Sequence, residues 1–258
     1  MKAHPFGWRK DPYDHFDWIH QPSGLVVPQK FSLEQYACNV RDQGNEGSCT
    51  GFGLAGQCTS VAKKIPLHPK EWFSPRDIYN GERTVMGTLS YDSGAEPRDG
   101  YKWISKMGLI LDHFWPYVDA PLDTRQRNPK LTPAALLTLP ITYTRVTGGI
   151  PAIIDALAAG NFLSIGAPWY ENWMDIGANG VLPPVGKSAV AGGHETFWYG
   201  YDQSTSYLKG QNSWGLSWGN AGRYLMPFSA ITNFLADGGY DVYYITVGWK
   251  PVVQGEKP

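Results

Sequence analysis

Three residues of this chain have the types that nucleophilic acyl chemistry needs: Cys49, His194 and Asn212. A thiol is a weak nucleophile until it loses its proton, and a helix N-terminus or a neighbouring imidazolium lowers its pKa. Cys49 stands in RDQGNEGSCTGFGLAGQ, residues 41–57, behind a polar, glycine-rich approach and ahead of a small apolar run. Gly44, Gly47 and Gly51 would let another backbone come close. Taken alone, a free cysteine is as readily a small packing residue. Of the six histidines, five fall in arm-like or loop-like settings. His194 instead follows Gly192-Gly193 and opens the strand-like run HETFWYGYD.

An imidazole that works as a base needs its second nitrogen held. HETFWYGYD and YLKGQNSW read as an antiparallel hairpin with its turn near Asp202–Thr205. A turn centred near residues 203–204 pairs positions whose numbers sum to about 406–407, which sets His194 opposite Asn212. One residue of slip would turn one of them to the other face.

The elements that must position these residues change character along the chain. Residues 1–30, rich in Pro, His, Trp and Asp, read as an arm lying on the body. Apolar residues recur at helical spacing from Cys49 to Lys64, with Ser48 as the cap, Lys63-Lys64 at the end and Pro66 as the stop. Ser74–Arg83 opens with Ser-Pro and predicts a second helix; Gly100–Gly108 predicts a third. ITYTRV (141–146) alternates as a strand does, 150–160 reads as a short helix and 161–170 as extended. HETFWYGYD, YLKGQNSW, GRYLMPFS and DVYYITVGW are strand-like, being rich in aromatic and β-branched residues. Helices lead and strands follow, which predicts an α+β protein in two lobes.

The totals narrow the function. With 258 residues, 42% of them hydrophobic and 17% charged, the chain is expected to fold as one domain or one two-lobed unit. A net charge of −1 and no basic run argue against nucleic acid or an anionic membrane as partner. The N-terminus has no apolar signal-like region and no window is long and apolar enough to span a bilayer. Three cysteines, Cys38, Cys49 and Cys58, are too few for a disulfide scaffold and leave at least one free thiol, which suggests a reducing compartment. No CxxC pair exists, so no structural zinc, and no other metal or cofactor, is expected.

Together these residues resemble the papain-type (C1) cysteine peptidases. Gln43–Cys49 is similar to the family's Gln-Gly loop followed by Gly-Ser-Cys on a central helix. GGHETFWYGYD resembles its histidine strand, and NSWGLSWGNAGRY its Asn-Ser-Trp-Gly segment, with Arg223 inserted before the tyrosine. Cys49 and His194 lie 145 residues apart, within the family's interval. The likeness covers roughly residues 31–250 and is nearest the compact bacterial and viral branch. It implies a papain-like α+β fold: a helical lobe (about 31–125), an antiparallel β-barrel-like lobe (about 126–250) and a cleft between them, with an arm (1–30) and a tail (251–258). It further implies a peptidase in which Cys49 attacks, His194 pairs with the thiolate and protonates the leaving amine, Asn212 orients His194, and Gln43 with the Cys49 N–H forms the oxyanion hole. Trp214 would shield the His–Asn bond. Ser93 and Gly94 would be the counterpart of the glycines that hold substrate backbone.

Several positions depart from that pattern. Glu46 replaces a cysteine, so the family's disulfide there is not expected, and Cys38 and Cys58 are read as packing thiols. Thr50 replaces an aromatic, leaving the helix start less covered. Glu195 either places a charge near a substrate side chain, favouring basic residues, or is solvated on the outer face of its strand. No long separate prodomain is expected; the short arm is expected on the surface, near the cleft. The implied partner is a peptide or protein substrate, in the cytoplasm or within a viral particle. Two alternatives stay open: a structural or binding component of a larger assembly, and an amidase acting on cell-wall peptides.

Overall fold

The computed structural model describes residues 5–65, 71–119, 122–128, 136–137 and 141–248. The predicted tail, 251–258, and Pro66 lie outside them. Three helices, α1 (Cys49–Lys63), α2 (Pro75–Met86) and α3 (Pro97–Met107), form one side of the molecule. The strands of a seven-stranded, wholly antiparallel sheet form the other. They are β1 (Lys30–Ser32), β4 (Ile141–Arg145), β5 (Leu163–Tyr170), β6 (Val190–Asp202), β7 (Tyr207–Gln211), β8 (Arg223–Pro227) and β9 (Asp241–Val247). The order is β4-β9-β5-β6-β7-β8; β6 is long enough to pair with β5 along its first part and with β1 at Gly200–Asp202. The sheet does not close into a barrel. Two-residue strands β2 (Leu109–Ile110) and β3 (Leu136–Leu137) pair separately. Strand β1 pairs with β6, so Lys30, expected in the arm, and Phe31–Ser32, expected at the start of the helical lobe, lie in the sheet.

Local chemistry explains both ends of α2. Ser74 caps α2 by accepting a hydrogen bond from the Asp77 N–H (3.0 Å), Pro75 takes the first turn, and Gly87 ends the helix in the left-handed region. Ser48 occupies the N-cap position of α1 but makes no capping bond; its hydroxyl lies 3.0 Å from the Tyr117 hydroxyl. That helix is buried on nearly every side because it runs between α2 and α3 on one face and β6 on the other. Gly53 and Gly56 allow the approach: a Cβ at either would press on Glu195 or Phe197 of β6. Helix α3 begins at Pro97, three residues before its sequence signal, and α5 (Ala230–Ala236) was not anticipated, since its stretch follows a strand-like run directly. Helix α4 (Gly149–Ala158) packs on the sheet through Ile153, Ile154, Ala156 and Leu157.

The core crosses the lobe boundary. Leu54, Ala55, Tyr101 and Ile104 of the helices pack with Ile141, Tyr243 and Ile245 of β4 and β9. A second, aromatic-rich cluster fills the sheet side around Trp169, Trp173, Trp198, Trp214 and Trp218.

Candidate active site

The loop before α1 is tied to the segment after β7 by backbone bonds. Gln43 N–H donates to Ser213 O (2.8 Å), Gly215 N–H donates to Arg41 O (3.2 Å), and Asp42 bridges to Trp214. Two motifs 170 residues apart in sequence thus share one short ladder. The Gln43 side chain is fully buried and oriented. Its Oε1 accepts from the Ser213 hydroxyl (2.6 Å), which turns the amide N–H groups toward Glu46 O (3.0 Å) and Pro5 O (3.3 Å).

His194 lies on β6 opposite Ala167 of β5. Its Nε2 is 2.7 Å from Asn212 Oδ1, which also accepts the Ser213 N–H (2.7 Å). An amide oxygen only accepts, so Nε2 carries the proton and Nδ1 is the basic nitrogen. The Trp214 ring stacks on the imidazole, centroids 4.5 Å apart at 29°, and Trp169 meets it edge-on at 5.0 Å. His194 and Asn212 are 1% and 3% exposed, so this hydrogen bond is dry.

The pairing that brings these two together differs from the hairpin expectation. The observed register is Asp202↔Tyr207 and Tyr201↔Leu208, with a bulge between Trp198 and Gly200, which sets Phe197 opposite Gln211. Asn212 is therefore not opposite His194. It leaves the strand after Gln211, its N–H donating to Gly222 O (2.8 Å), and its side chain reaches back along the sheet.

Cys49 is the first residue of α1 and wholly buried, contrary to the expectation that Thr50 leaves this helix start less covered. Thr50 is itself buried and donates to Glu82 Oε2 (2.6 Å). The backbone at Glu195, next to His194, and at Gly7 of the arm acts on the Cys49 thiol to lower its pKa. Burial, with a smaller contribution from the Glu195 carboxyl, pushes the thiol up to about 12. In this state the thiol is protonated, despite its place at a helix N-terminus.

The cover is the N-terminal arm. Phe6 faces His194 (6.1 Å) and Trp214 (6.2 Å). The Gly7 and Trp8 N–H groups both donate to Gly193 O (3.1 and 3.0 Å). Ala95 N–H donates to Gly7 O (2.7 Å) and Arg9 N–H to Ala95 O (2.9 Å), so Trp8 pairs with Ala95 in parallel sense. The Trp8 indole lies over Gly166, where a Cβ would come 2.0 Å from its Nε1. Gly7 has no room for a side chain either: a Cβ there would sit 1.7 Å from Gly47 O. A cavity of about 720 Å3 elsewhere on the β lobe, lined by Glu34, Tyr199, Lys209 and Arg223, contains none of these residues.

Other expected site residues fall as follows. Gly94 abuts Gly7 O, but the backbone bonds to the arm come from Ala95, one residue further on, and Ser93 donates to Gly94 O (2.7 Å). Ala95 carries no chemical side chain, so only its place after Gly94 could have marked it. Glu195 is neither solvated nor open to a substrate side chain; it is 0% exposed against α1, and burial, then Glu82, raises its carboxyl well above the usual range. Glu46 is a buried cross-link: its carboxylate takes two bonds from the Arg76 guanidinium (2.8 and 2.7 Å) and one from the Tyr117 hydroxyl (3.1 Å). An ion pair stands where the resemblance led one to look for a cysteine. All three cysteines are free and buried. Among the described residues no cluster of three or more His, Cys, Asp or Glu is placed to hold a metal ion, and no helix is long and apolar enough to cross a membrane.

Residues 27–231 match the profile of the papain family cysteine proteases. The chain belongs to that family. It is 29% identical over 224 residues to an uncharacterised peptidase C1-like protein of Acanthamoeba polyphaga mimivirus, covering 81% of this chain and 71% of that one. It is likewise 29% identical over 213 residues to a cathepsin B-like protein of Giardia intestinalis, covering 78% and 69%. Among solved structures, xylellain, a cysteine protease from Xylella fastidiosa, superposes with a TM-score of 0.83 at 27% identity, over 96% of this chain and 99% of that one. The papain-type peptidase is thus a cysteine hydrolase with an α+β fold.

Proposed function

We propose that this peptidase cleaves peptide bonds through a Cys49–His194 thiolate–imidazolium pair and a thioester acyl-enzyme, and that the arm plugs the cleft until it is displaced. The observation that carries the reading is the buried Nε2–Oδ1 bond between His194 and Asn212, which leaves Nδ1 as the basic nitrogen; Cys49 opens α1, and Glu195, next to His194, acts on its thiol. With the arm displaced, water and the helix N-terminus favour the thiolate, and the imidazolium pairs with it. The sulfur attacks the substrate carbonyl. The developing oxyanion is met by the Gln43 amide, which in the plugged state donates to Pro5 O, and by the Cys49 N–H. Such a donor typically contributes about 3 kcal/mol to lowering the barrier. His194 then protonates the leaving amine, and water, deprotonated by the same ring, hydrolyses the thioester. Trp214 keeps water from the His–Asn bond. The substrate backbone would take the Gly193 and Ala95 hydrogen bonds that the arm uses.

The test is labelling by a peptidyl epoxide, which alkylates an activated thiol, in a full-length Gly7→Val protein whose arm is unseated. Label is expected on Cys49, and none in the same protein carrying Cys49→Ala or His194→Ala. A folded, unplugged protein that resists the epoxide would overturn the mechanism.

A further inference from the structure

Beyond Trp8 the arm carries Asp11 into a buried site beside Asp241 of β9. The two residues are 3% and 1% exposed. Asp11 N–H donates to Asp241 Oδ2 (2.9 Å), the Tyr243 hydroxyl donates to Asp11 Oδ2 (2.8 Å), and the Arg98 backbone N–H donates to both Asp11 oxygens (3.2 and 3.3 Å). Two guanidiniums serve this site. Arg98 puts its side chain on Asp17 (2.7 and 3.1 Å), and Arg145 divides between Asp17 (3.2 Å) and Asp241 (2.7 Å). Lys10 of the arm lies at the exposed edge. Glu82 of α2, Asp99 of α3 and Glu195 of β6 face the site from behind, and all three are acids. Three carboxyls, Asp11, Asp17 and Asp241, therefore share two guanidiniums, Arg98 buried and Arg145 partly buried; behind them the buried Arg83 acts on Glu82 alone of the further acids, so negative charge stays in surplus among the described residues. A surplus buried negative charge is costly, and a carboxyl so placed keeps its proton instead.

We propose that seating the arm takes up one proton, held on the Asp11–Asp241 pair, so that the plug over Cys49 is tight in acid and loosens toward neutrality. The direction follows from linkage. Burial and then the charge of Asp241 push Asp11 up to about 7, and Asp241 is raised as well, by burial first. With the arm released, Asp11 returns to the ordinary aspartate value of about 4. Docking is thus fully supported below about 4, weakens roughly tenfold per pH unit up to about 7, and changes little above that. The consequence for proteolysis rests on the mechanism proposed above; the latch itself does not.

The test reads the arm directly. Amide hydrogen exchange at Gly7, Trp8 and Arg9 is followed in the full-length protein and in Asp11→Asn at matched pH, so that intrinsic exchange cancels in the ratio. Asn keeps the acceptor for Tyr243 and Arg98 and donates to Asp241, mimicking the protonated latch at every pH. The exchange ratio, wild type over Asp11→Asn, is expected to rise at least 30-fold from pH 4.5 to pH 7.5. A ratio that stays within threefold, or falls, overturns the proposal. Amides of β5 and β6 report whether each protein is folded; should Asp11→Asn fail that check, Asp241→Asn is judged by the same ratio. Since exchange needs no catalysis, a protein with the latch but no peptidase activity, or the reverse, is read without ambiguity.

Discussion

Gly7→Val should open the active site without touching a catalytic group. A Cβ at residue 7 would lie 1.7 Å from Gly47 O, a backbone atom of the loop that leads into α1 and carries no flexible end that could yield. The arm must lift instead. Lifting breaks four backbone hydrogen bonds: Gly7 and Trp8 to Gly193 O, Ala95 to Gly7 O, and Arg9 to Ala95 O. At about 1 kcal/mol each, the plugged state loses about 4 kcal/mol. That shifts its opening equilibrium on the order of a thousandfold. The assay is the rate of Cys49 alkylation by iodoacetamide in native conditions, read by mass spectrometry, with Cys49→Ser separating it from Cys38 and Cys58. Alkylation of the variant is expected to be at least a hundredfold faster than of wild type. If Gly7→Val reacts at the wild-type rate while folded, the arm does not control access to the thiol, and the plug is wrong.

Other outcomes follow from the same geometry. Glu46→Ala removes the carboxylate that the buried Arg76 (2.7 Å) and Arg83 (3.6 Å) share; urea unfolding should show a loss of about 3–5 kcal/mol, of which Glu46→Met with Arg76→Met should recover only part, because Arg83 still lacks that partner. Asn212→Ala frees the imidazole to rotate, so kcat/KM of the unplugged enzyme should fall about a hundredfold; unchanged steady-state kinetics would remove Asn212 from its orienting role. Burial, then Glu82, raises the Glu195 carboxyl well above its usual range, so folding loses about 1.4 kcal/mol per pH unit as pH rises above the unfolded value of about 4.3, until the folded group ionises. Glu195→Gln should therefore match wild type at pH 4 and be the more stable protein at pH 8, and denaturation midpoints that stay parallel across that range would refute the assignment.

The sequence by itself determined the chemistry and the class of fold. Residue type and order carry that information locally: a cysteine after glycines at a helical start, a histidine opening a strand, and Asn-Ser-Trp-Gly at the end of the next. The helix signal at Ser74-Pro75 is likewise local, because capping involves only neighbouring residues, whereas the stop at Gly87 lies beyond the expected end at Arg83. What only the tertiary structure decided lies in contacts between distant segments. The hairpin register slipped from its expected sum because the turn falls later than expected, which the bulge at Tyr199 only partly takes back, and Asn212 meets His194 from outside the strand. Glu195 faces inward because β6 is covered on that side by α1, so alternation could not send it to solvent. The arm's path was the least legible of all. Pro5–Trp8 has no period of its own, and it is placed by hydrogen bonds to Gly193 and Ala95, residues brought together only when both lobes have formed. The same distance in sequence hid the Asp11–Asp241 pair, since burial and charge balance are properties of the assembled site and not of either segment.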